Sequence, residues 1–452
     1  MSIKKLTSIV LVWVAAVLSV PALLAAPASE KILANGMKVI VKEDHRSPVV
    51  VSILWYHIGS MDEVSGTSGV AHVLEHMMFK GTAKVAAGEF SKIIARAGGR
   101  DNAFTSRDYT GYFQQLHKSK LPLALELEAD RMTNLAFSDE EFAKEIKVVM
   151  EERRTRTDDQ PHALLHEQLM ATAFTAHPYR WPVIGWMNDL QNLRAEHARD
   201  WYRKWYAPNN ATLVVAGDVQ AQAVFDLASS LFESIPARPL PIRAATEDPR
   251  QLGIKRIVVK AQAELPYLAM AYRVPVLRDP KNDWEPYALS VLGGVLDGGN
   301  AARFERELVR GQRIAHSASS GYDMVNRGPG LFTLEGVPAT GKTVSELEQA
   351  LRAQVRRLIE EGIDEKEMQR VRAQVIAAQV FSQDSVFYQA RRIGALETAG
   401  LPHTSADLQV AKLREVSAEQ VREVAKKYLI DDNLTVAVLD PQPLPVAITH
   451  AK

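Results

Sequence analysis

The chain has 452 residues, 46% of them hydrophobic and 24% charged, as in an ordinary soluble globular protein long enough for two or three domains. Lysine plus arginine equals aspartate plus glutamate at 54 each, so the charge favours neither nucleic acid nor an anionic membrane surface as a partner. The absence of cysteine excludes disulfides, cysteine-ligated metal and a lipid-modified cysteine.

The first 26 residues have the pattern of a secretory signal peptide. Lys4 and Lys5 precede an apolar run over residues 9–24, and small residues follow at Ala26 and Ala28. The pattern predicts cleavage at those alanines and a periplasmic or secreted mature chain with no stable membrane span. The alternative is an uncleaved anchor, because the run is about long enough to cross a bilayer.

Two strand-like segments, residues 37–42 and 49–56, precede a helix-compatible run between Gly69 and Gly81. This run contains His72-Val-Leu-Glu-His76. On a helix, residues three and four apart share one face, so both imidazoles and the carboxylate point the same way. Two histidines so spaced suit tetrahedral zinc, and the order His-x-x-Glu-His is that of an inverzincin. We therefore predict His72 and His76 as zinc ligands and Glu75 as the general base acting on zinc-bound water.

A third ligand is expected from a predicted helix over residues 138–157. Glu145 and Glu152 are seven apart, two turns along one face, whereas Glu151 is rotated away from it. We predict Glu152 as the third ligand and Glu145 as a carboxylate outside the ligand set that orients the site. One position would stay open, giving one zinc ion per chain.

These residues resemble those of the pitrilysin-type metallopeptidases, in the branch that includes mitochondrial processing peptidase and its bacterial relatives. The resemblance extends over residues 58–63 and 69–82, the segment 97–110, the spacing of the two glutamates, and His177-Pro-Tyr179. It implies an α/β (α+β) sandwich fold. Two homologous domains, each a twisted and mainly antiparallel sheet packed with helices, would form a clamshell around a peptide chamber.

The segment 97–110 resembles the family's substrate-binding edge strand. We predict one strand over residues 102–110, continued by residues 111–116. Asn102 and Ala103 would bind the substrate backbone by adding it as a further strand. Phe104 would line a side-chain pocket or serve as a core aromatic; the sequence leaves both open.

A segment rich in proline and arginine, residues 236–253, predicts a linker. Beyond it the order of strands and helices restarts, and Asn433-Leu-Thr-Val-Ala-Val438 echoes Asn210-Ala-Thr-Leu-Val-Val215. The sequence therefore indicates a diverged duplication. We predict a signal peptide at 1–26, a zinc-bearing domain at 28–235 and a homologous domain without metal at 254–445.

The second half departs from the family pattern, which has an arginine and a tyrosine seven apart to hold substrate and oxyanion. Val309 and His316 stand at the matching positions, and Arg310 is one residue off. His316 could still donate a hydrogen bond. The resemblance therefore suggests a paralogous subunit that supplies the missing pair; a homodimer and a self-sufficient chain using His316 or Arg310 are the alternatives.

Together these observations predict a zinc-dependent endopeptidase that hydrolyses unstructured peptides, as the zinc-bearing subunit of a heterodimer. A non-catalytic structural or assembly subunit that keeps the metal site is the competing class. Glu75 argues against it, because Glu75 is not a ligand and is costly to bury unpaired.

Overall fold

The computed structural model describes residues 27–243 and 245–443, so the predicted signal peptide and residues 444–445 of the predicted second domain lie outside the described residues. The strands are β1 Ser29–Ile32, β2 Lys38–Glu43, β3 Val49–Tyr56, β4 Arg100–Thr105, β5 Thr110–His117, β6 Ala211–Gly217, β7 Lys255–Gln262, β8 Tyr267–Val274, β9 Ala315–Tyr322, β10 Gly330–Pro338 and β11 Leu434–Gln442. The helices are α1 Val70–Met77, α2 Glu89–Arg96, α3 Leu121–Asn134, α4 Asp139–Arg153, α5 Pro161–Ala173, α6 Met187–Asn192, α7 Ala195–Trp205, α8 Ala221–Phe232, α9 Glu285–Asp297, α10 Val344–Glu361, α11 Glu365–Ser382, α12 Val386–Thr398, α13 Ser405–Glu415 and α14 Ala418–Tyr428. Two π-helical segments, Arg154–Asp158 and Phe304–Gly311, follow the end of α4 and precede β9.

The strands form two sheets of corresponding topology. The first has the order β1-β2-β6-β3-β5-β4 and the second β7-β11-β8-β10-β9. In each sheet one pair is parallel, β2 with β6 and β7 with β11, and the other pairs are antiparallel. The predicted fold class, two mainly antiparallel sheets packed with helices, is confirmed.

The inner face of each sheet packs against helices of its own half. In the first sheet, alternate strand residues such as Val50, Leu54 and Tyr56 of β3 lie in one core with the buried faces of α1, α3, α7 and α8. Since a strand side chain changes face at every residue, the intervening positions of β3 face the other way. The whole of β3 is nevertheless buried or nearly so, so something must cover that second face.

Each sheet's second face is covered by a helix from the other half. Ala390 and Ile393 of α12 pack on the first sheet against Val51, Ile53 and Trp55. Leu165 and Leu169 of α5 pack on the second sheet against residues of β8 and β11. An ion pair reinforces the first contact, since Lys38 Nζ of β2 lies 2.7 Å from Glu397 Oε2 of α12. Each half therefore contributes one helix that covers the sheet of the other half, an arrangement we call the helix exchange.

A third junction lies at the turn between β9 and β10. Arg327 in this turn donates to both carboxylate oxygens of Asp62, at 2.8 and 3.0 Å, and its backbone N–H donates to Asp108 Oδ2 at 2.9 Å. Asp62 precedes α1, and Asp108 lies between β4 and β5. The second half thus contacts the segments that flank the predicted metal helix and edge strand.

Gly394 gives a direct test of the exchanged helix. A Cβ added there would lie 2.0 Å from Trp55 Cε2, so Gly394→Ala must displace either α12 or the indole. We expect the substitution to lower the free energy of unfolding by about 1–3 kcal/mol. Urea denaturation would measure it. Gly293→Ala on α9 is the matched control, because its nearest atom is Ser320 Oγ at 3.8 Å. The control should be neutral or stabilising, and equal effects of the two variants would contradict the packing argument.

One local prediction is wrong. Residues 102–116 are not a single strand but a hairpin, in which β4 pairs with β5 from Arg100↔Gln115 to Thr105↔Thr110. The turn at residues 106–109 has no glycine or proline, which are the usual sequence signals for a turn. β4 is still the terminal strand of its sheet. Within the described residues, none of the helices has the length and apolar character needed to cross a membrane.

Candidate metal centre

Helix α1 is held in place at its first turn. Gly69, its N-cap, has φ 88°, and a Cβ there would lie 2.6 Å from the carbonyl oxygen of Ile184. Glycine is therefore required both for the left-handed conformation and for the close approach. The buried carboxylate of Glu63 accepts the backbone N–H groups of Gly69 and Ala71 at 2.8 and 2.9 Å. Glu63 therefore supplies acceptors to backbone N–H groups at the start of the helix, which have no partner within it.

Two histidines of α1 and one glutamate of α4 converge. Potential ligand atoms of His72, His76 and Glu152 all lie within 4.8 Å of one another. His76 Nε2 is 3.3 Å from Glu152 Oε2, and His72 Nε2 is 4.0 Å from Glu152 Oε1. Two imidazoles and a carboxylate are the donor set of many catalytic zinc sites, which keep the fourth position open. The residues present therefore fit zinc.

Glu152 is directed to the site by the anchoring of its neighbour. Arg153 is buried and donates to Glu167 and to the carbonyl oxygen of Gly185, both at 2.8 Å. Glu151 points to solvent, with 64% of its side chain exposed and an ion pair to Arg154, whereas Glu152 is 16% exposed. The two adjacent side chains therefore point in different directions from α4, as helical geometry predicts.

Glu145 lies behind His76. Its Oε1 is 2.9 Å from His76 Nδ1, and its Oε2 is 2.5 Å from Lys80 Nζ. The hydrogen bond to His76 lowers the pKa of Glu145. Because Nδ1 is engaged by a carboxylate, Nε2 is the nitrogen left to face Glu152 and a metal. For His72, burial lowers the pKa to about 3, so its ring is neutral at pH 7, as a metal ligand must be.

Glu75 stands beside these groups without belonging to the ligand set. The hydroxyl of Thr105, the last residue of β4, donates to Glu75 Oε2 at 2.5 Å. Burial raises the pKa of Glu75, which makes the carboxylate a stronger base. Glu75 therefore lies between the predicted metal ligands and the edge strand.

The three residues predicted to bind substrate lie on β4. Asn102 is exposed, and its Oδ1 accepts the backbone N–H of Ala103 at 2.9 Å. Its side chain thus caps a backbone donor of the terminal strand, as edges are often protected. Phe104 is half-buried and packs edge-on against Trp55, with ring centroids 5.1 Å apart, and against Gly111. This packing favours the interpretation of Phe104 as a core aromatic.

Among the described residues, neither predicted oxyanion donor of the second half bonds to the candidate metal site. Val309 packs at the margin of the second core. Arg310 is engaged locally, by an ion pair to Glu305 and a hydrogen bond to the carbonyl of Asn300. His316 is exposed on β9, and its side chain takes part in no hydrogen bond or ion pair within residues 27–243 and 245–443.

Three contacts of the site were missed by sequence reasoning. Lys80 holds Glu145, Thr105 holds Glu75, and Arg156 pairs with Glu152 at 2.5 Å. Arg156 follows Glu152 by four residues, so helical spacing could have indicated that pair, whereas Lys80 lies beyond the end of α1 and contacts a residue of another helix. Thr105 carried no such signal, because its contact depends on where the edge strand ends.

Removing the charge of Glu145 should weaken zinc binding. Glu145→Gln leaves a neutral amide beside His76, which loses the carboxylate that fixes the ring, and we expect zinc affinity to fall about 10–100-fold. Competition with a chromophoric chelator would measure the affinity. Glu140→Gln on the same helix removes an exposed ion pair to Lys144 and should leave the affinity unchanged. Affinities within twofold of each other would count against the role of Glu145.

Comparisons with known proteins identify the family. Residues 38–185 match the family model described as insulinase (peptidase family M16), and residues 192–375 match the model described as peptidase M16 inactive domain. A zinc protease SCO5738 of Streptomyces coelicolor, described as uncharacterized, is 30% identical over 88% of this chain and 86% of its own length. The chain is a two-domain α/β protein with the fold of a metallopeptidase, and it belongs to peptidase family M16.

Two further relatives come from Helicobacter pylori. The zinc protease PqqE is 38% identical over 64% of this chain, and the match spans 65% of that relative, just under two thirds of its length. The crystal structure of a protease from the same organism is 30% identical and superposes with a TM-score of 0.86, covering 92% of this chain and all of that one. The fold of the described residues is thus that of solved peptidases.

Proposed function

We propose that this chain is a zinc-dependent endopeptidase that hydrolyses unstructured peptides. The observation that supports this best is Glu75, a carboxylate outside the donor set of His72, His76 and Glu152 and bonded to the last residue of the edge strand. A purely structural metal site has no use for such a group, and burying it unpaired is costly.

Each group of site residues would have a separate role in the reaction. Asn102 and Ala103 would hold the substrate backbone along β4, which favours extended peptides of varied sequence. Zinc, when bound by the three ligands, would supply Lewis-acid polarisation of the scissile carbonyl and lower the pKa of water to about 7. Glu75 would take the proton of the attacking water and return it to the leaving amine. Glu145 would keep His76 oriented throughout.

We further propose that this chain is the zinc-bearing subunit of a pair. Peptide hydrolysis needs a donor for the oxyanion, typically worth about 10²–10³ in rate, and neither Arg310 nor His316 contacts the site here. A paralogous subunit with the arginine and tyrosine would supply it; a second copy of this chain is the alternative. We assign the zinc-bearing domain to residues 28–235 and the domain without metal to residues 254–445, with a linker at 236–253.

The N-terminal sequence supports a periplasmic or secreted location, since residues 1–26 have the pattern of a signal peptide. The second candidate function, a structural or assembly subunit with a retained metal site, has the exposed His316 and the engaged Arg310 in its favour. N-terminal sequencing of the exported protein would test the location independently of activity.

The test of function is hydrolysis of an unstructured fluorogenic peptide by the purified mature chain, with zinc content measured on the same sample. Turnover by the chain alone would overturn the need for a paralogous partner. A zinc-loaded chain that is silent alone and active with its paralogue would support the paired site. Silence in both conditions, with zinc bound, would favour the structural subunit.

A further inference from the structure

A cavity of about 460 Å³ lies between the two halves, at the end of the edge strand. It is lined by the β4–β5 turn, by the segment Tyr322 to Asn326 that follows β9, and by residues of α12. Its charged residues are Arg107, Arg391, Arg392, Asp108 and Asp323. Three cations and two acids meet there, so the partners of each charge decide what the cavity can bind.

The two acids already have partners. Asp108 accepts the hydroxyl of Tyr179 at 2.5 Å and the backbone N–H of Arg327 at 2.9 Å. Asp323 accepts the backbone N–H of Val325 at 2.9 Å. Burial raises the pKa of both carboxyl groups, which weakens their hold on any cation nearby. Neither acid forms an ion pair with an arginine side chain of the cavity within 4.0 Å among the described residues.

Arg107 has no such partner. Its Nε is buried without a hydrogen bond, and within the described residues its guanidinium takes part in no ion pair. The ring of Tyr179 lies 5.6 Å from its central carbon, a contact that leaves the N–H donors unused. Arg392 donates through Nη2 to Ala406 and Gln409, but its Nη1 is likewise buried without a partner. Unused donors of a buried charge are costly, and an anion would satisfy them.

The position of Arg107 relates the cavity to catalysis. Arg107 follows Thr105 by two residues, and Thr105 donates to Glu75. An extended chain advances about 3.3 Å per residue. Because Arg107 lies in the turn directly after β4, a peptide that pairs with β4 and stays extended past Thr105 would reach this cavity within a few residues, about two to four, of the scissile bond.

We propose that the cavity binds a carboxylate of the bound peptide through Arg107 and Arg392, so that the enzyme prefers substrates with an acidic group about two to four residues from the cleaved bond. Guanidinium groups match the planar carboxylate with paired N–H donors, more specifically than a point charge would. This inference rests on the proposed peptidase function. The carboxylate could belong to an aspartate or glutamate side chain or to the peptide's C-terminus.

The test compares peptides that differ only in Glu or Gln at each of five positions on either side of the cleaved bond. At one position we expect kcat/KM to be about tenfold or more higher with Glu, as for a hydrogen bond to a charged group. In Arg107→Gln, and separately in Arg392→Gln, the ratio of Glu to Gln substrates should approach one. Arg96→Gln, an exposed arginine paired with Glu89, is the matched control and should keep the preference.

Further arms separate the sources of the carboxylate and the two proposals. If amidating the peptide C-terminus lowers kcat/KM in the wild type but not in Arg107→Gln, the α-carboxylate is the group bound; if the Glu preference survives amidation, the side chain is. Succinate, as a free anion, should inhibit the wild type more than Arg107→Gln. If no peptide is hydrolysed, fluorescence anisotropy of labelled Glu and Gln peptides on zinc-loaded protein measures the preference without turnover. Equal values for Glu and Gln at every position together with no effect of C-terminal amidation, or a preference unchanged in both variants, would overturn the inference.

Discussion

Glu75→Gln is expected to abolish peptide hydrolysis while leaving zinc bound. The amide is nearly isosteric, so the contact with the Thr105 hydroxyl can persist, but it cannot accept the proton of the attacking water. Loss of a general base costs about 10²–10⁴ in rate. Because Glu75 is not among the three converging donors, zinc content should stay at one per chain. The measurements are steady-state kinetics on a fluorogenic peptide and metal analysis of the same sample.

The assay should use whichever preparation is active, either the chain alone or with its paralogue. A variant that loses both zinc and activity would show that Glu75 takes part in binding the metal. A variant that keeps both would remove Glu75 from the mechanism and favour a structural subunit. Circular dichroism of the two proteins would establish that the comparison concerns chemistry and not folding.

Glu152→Gln should lose most of the zinc that the wild type retains through dialysis, and with it the activity. An amide is a poorer ligand than a carboxylate, and the ion pair to Arg156 is lost as well. We expect zinc content to fall from one per chain to near zero, with hydrolysis reduced by at least about 10³.

The adjacent residue is the matched control for this ligand. Glu151→Gln makes the same chemical change one position away, on a side chain that is exposed and paired with Arg154. Zinc content and turnover should match the wild type. If Glu151→Gln lost zinc and Glu152→Gln kept it, the third ligand would be wrongly assigned. We do not expect this result, because Glu152 shares a helix face with Glu145, two turns away.

The metal helix and the buried strands were predictable because their signals are local. β3 has the predicted bounds, Val49–Tyr56. An apolar run of that length predicts a buried strand whichever element packs on it. Helix α1 carries the two predicted ligands at i and i+4, so the spacing alone places both imidazoles on one face. Glu145 and Glu152 followed from the same periodicity on α4.

The turn within residues 102–116 and the helix exchange were not predictable, because both depend on distant contacts. Asp108 fixes the turn at 106–109 by accepting from Tyr179 and from Arg327, the latter 219 positions along the chain. Likewise α5 and α12 have apolar faces whose sequences do not say which sheet they will cover. Thr105 belongs to the same class, since its contact with Glu75 depends on the register of β4.

The exchange of α5 and α12 makes the chain an intramolecular counterpart of a domain-swapped dimer. A cut within residues 236–253 would leave two fragments that each lack the cover for one sheet face, with Trp55 uncovered in the first. Each fragment alone should aggregate, whereas coexpressed fragments should copurify as one folded species. Neither half would therefore fold without the other, even though the predicted metal ligands all lie in the first.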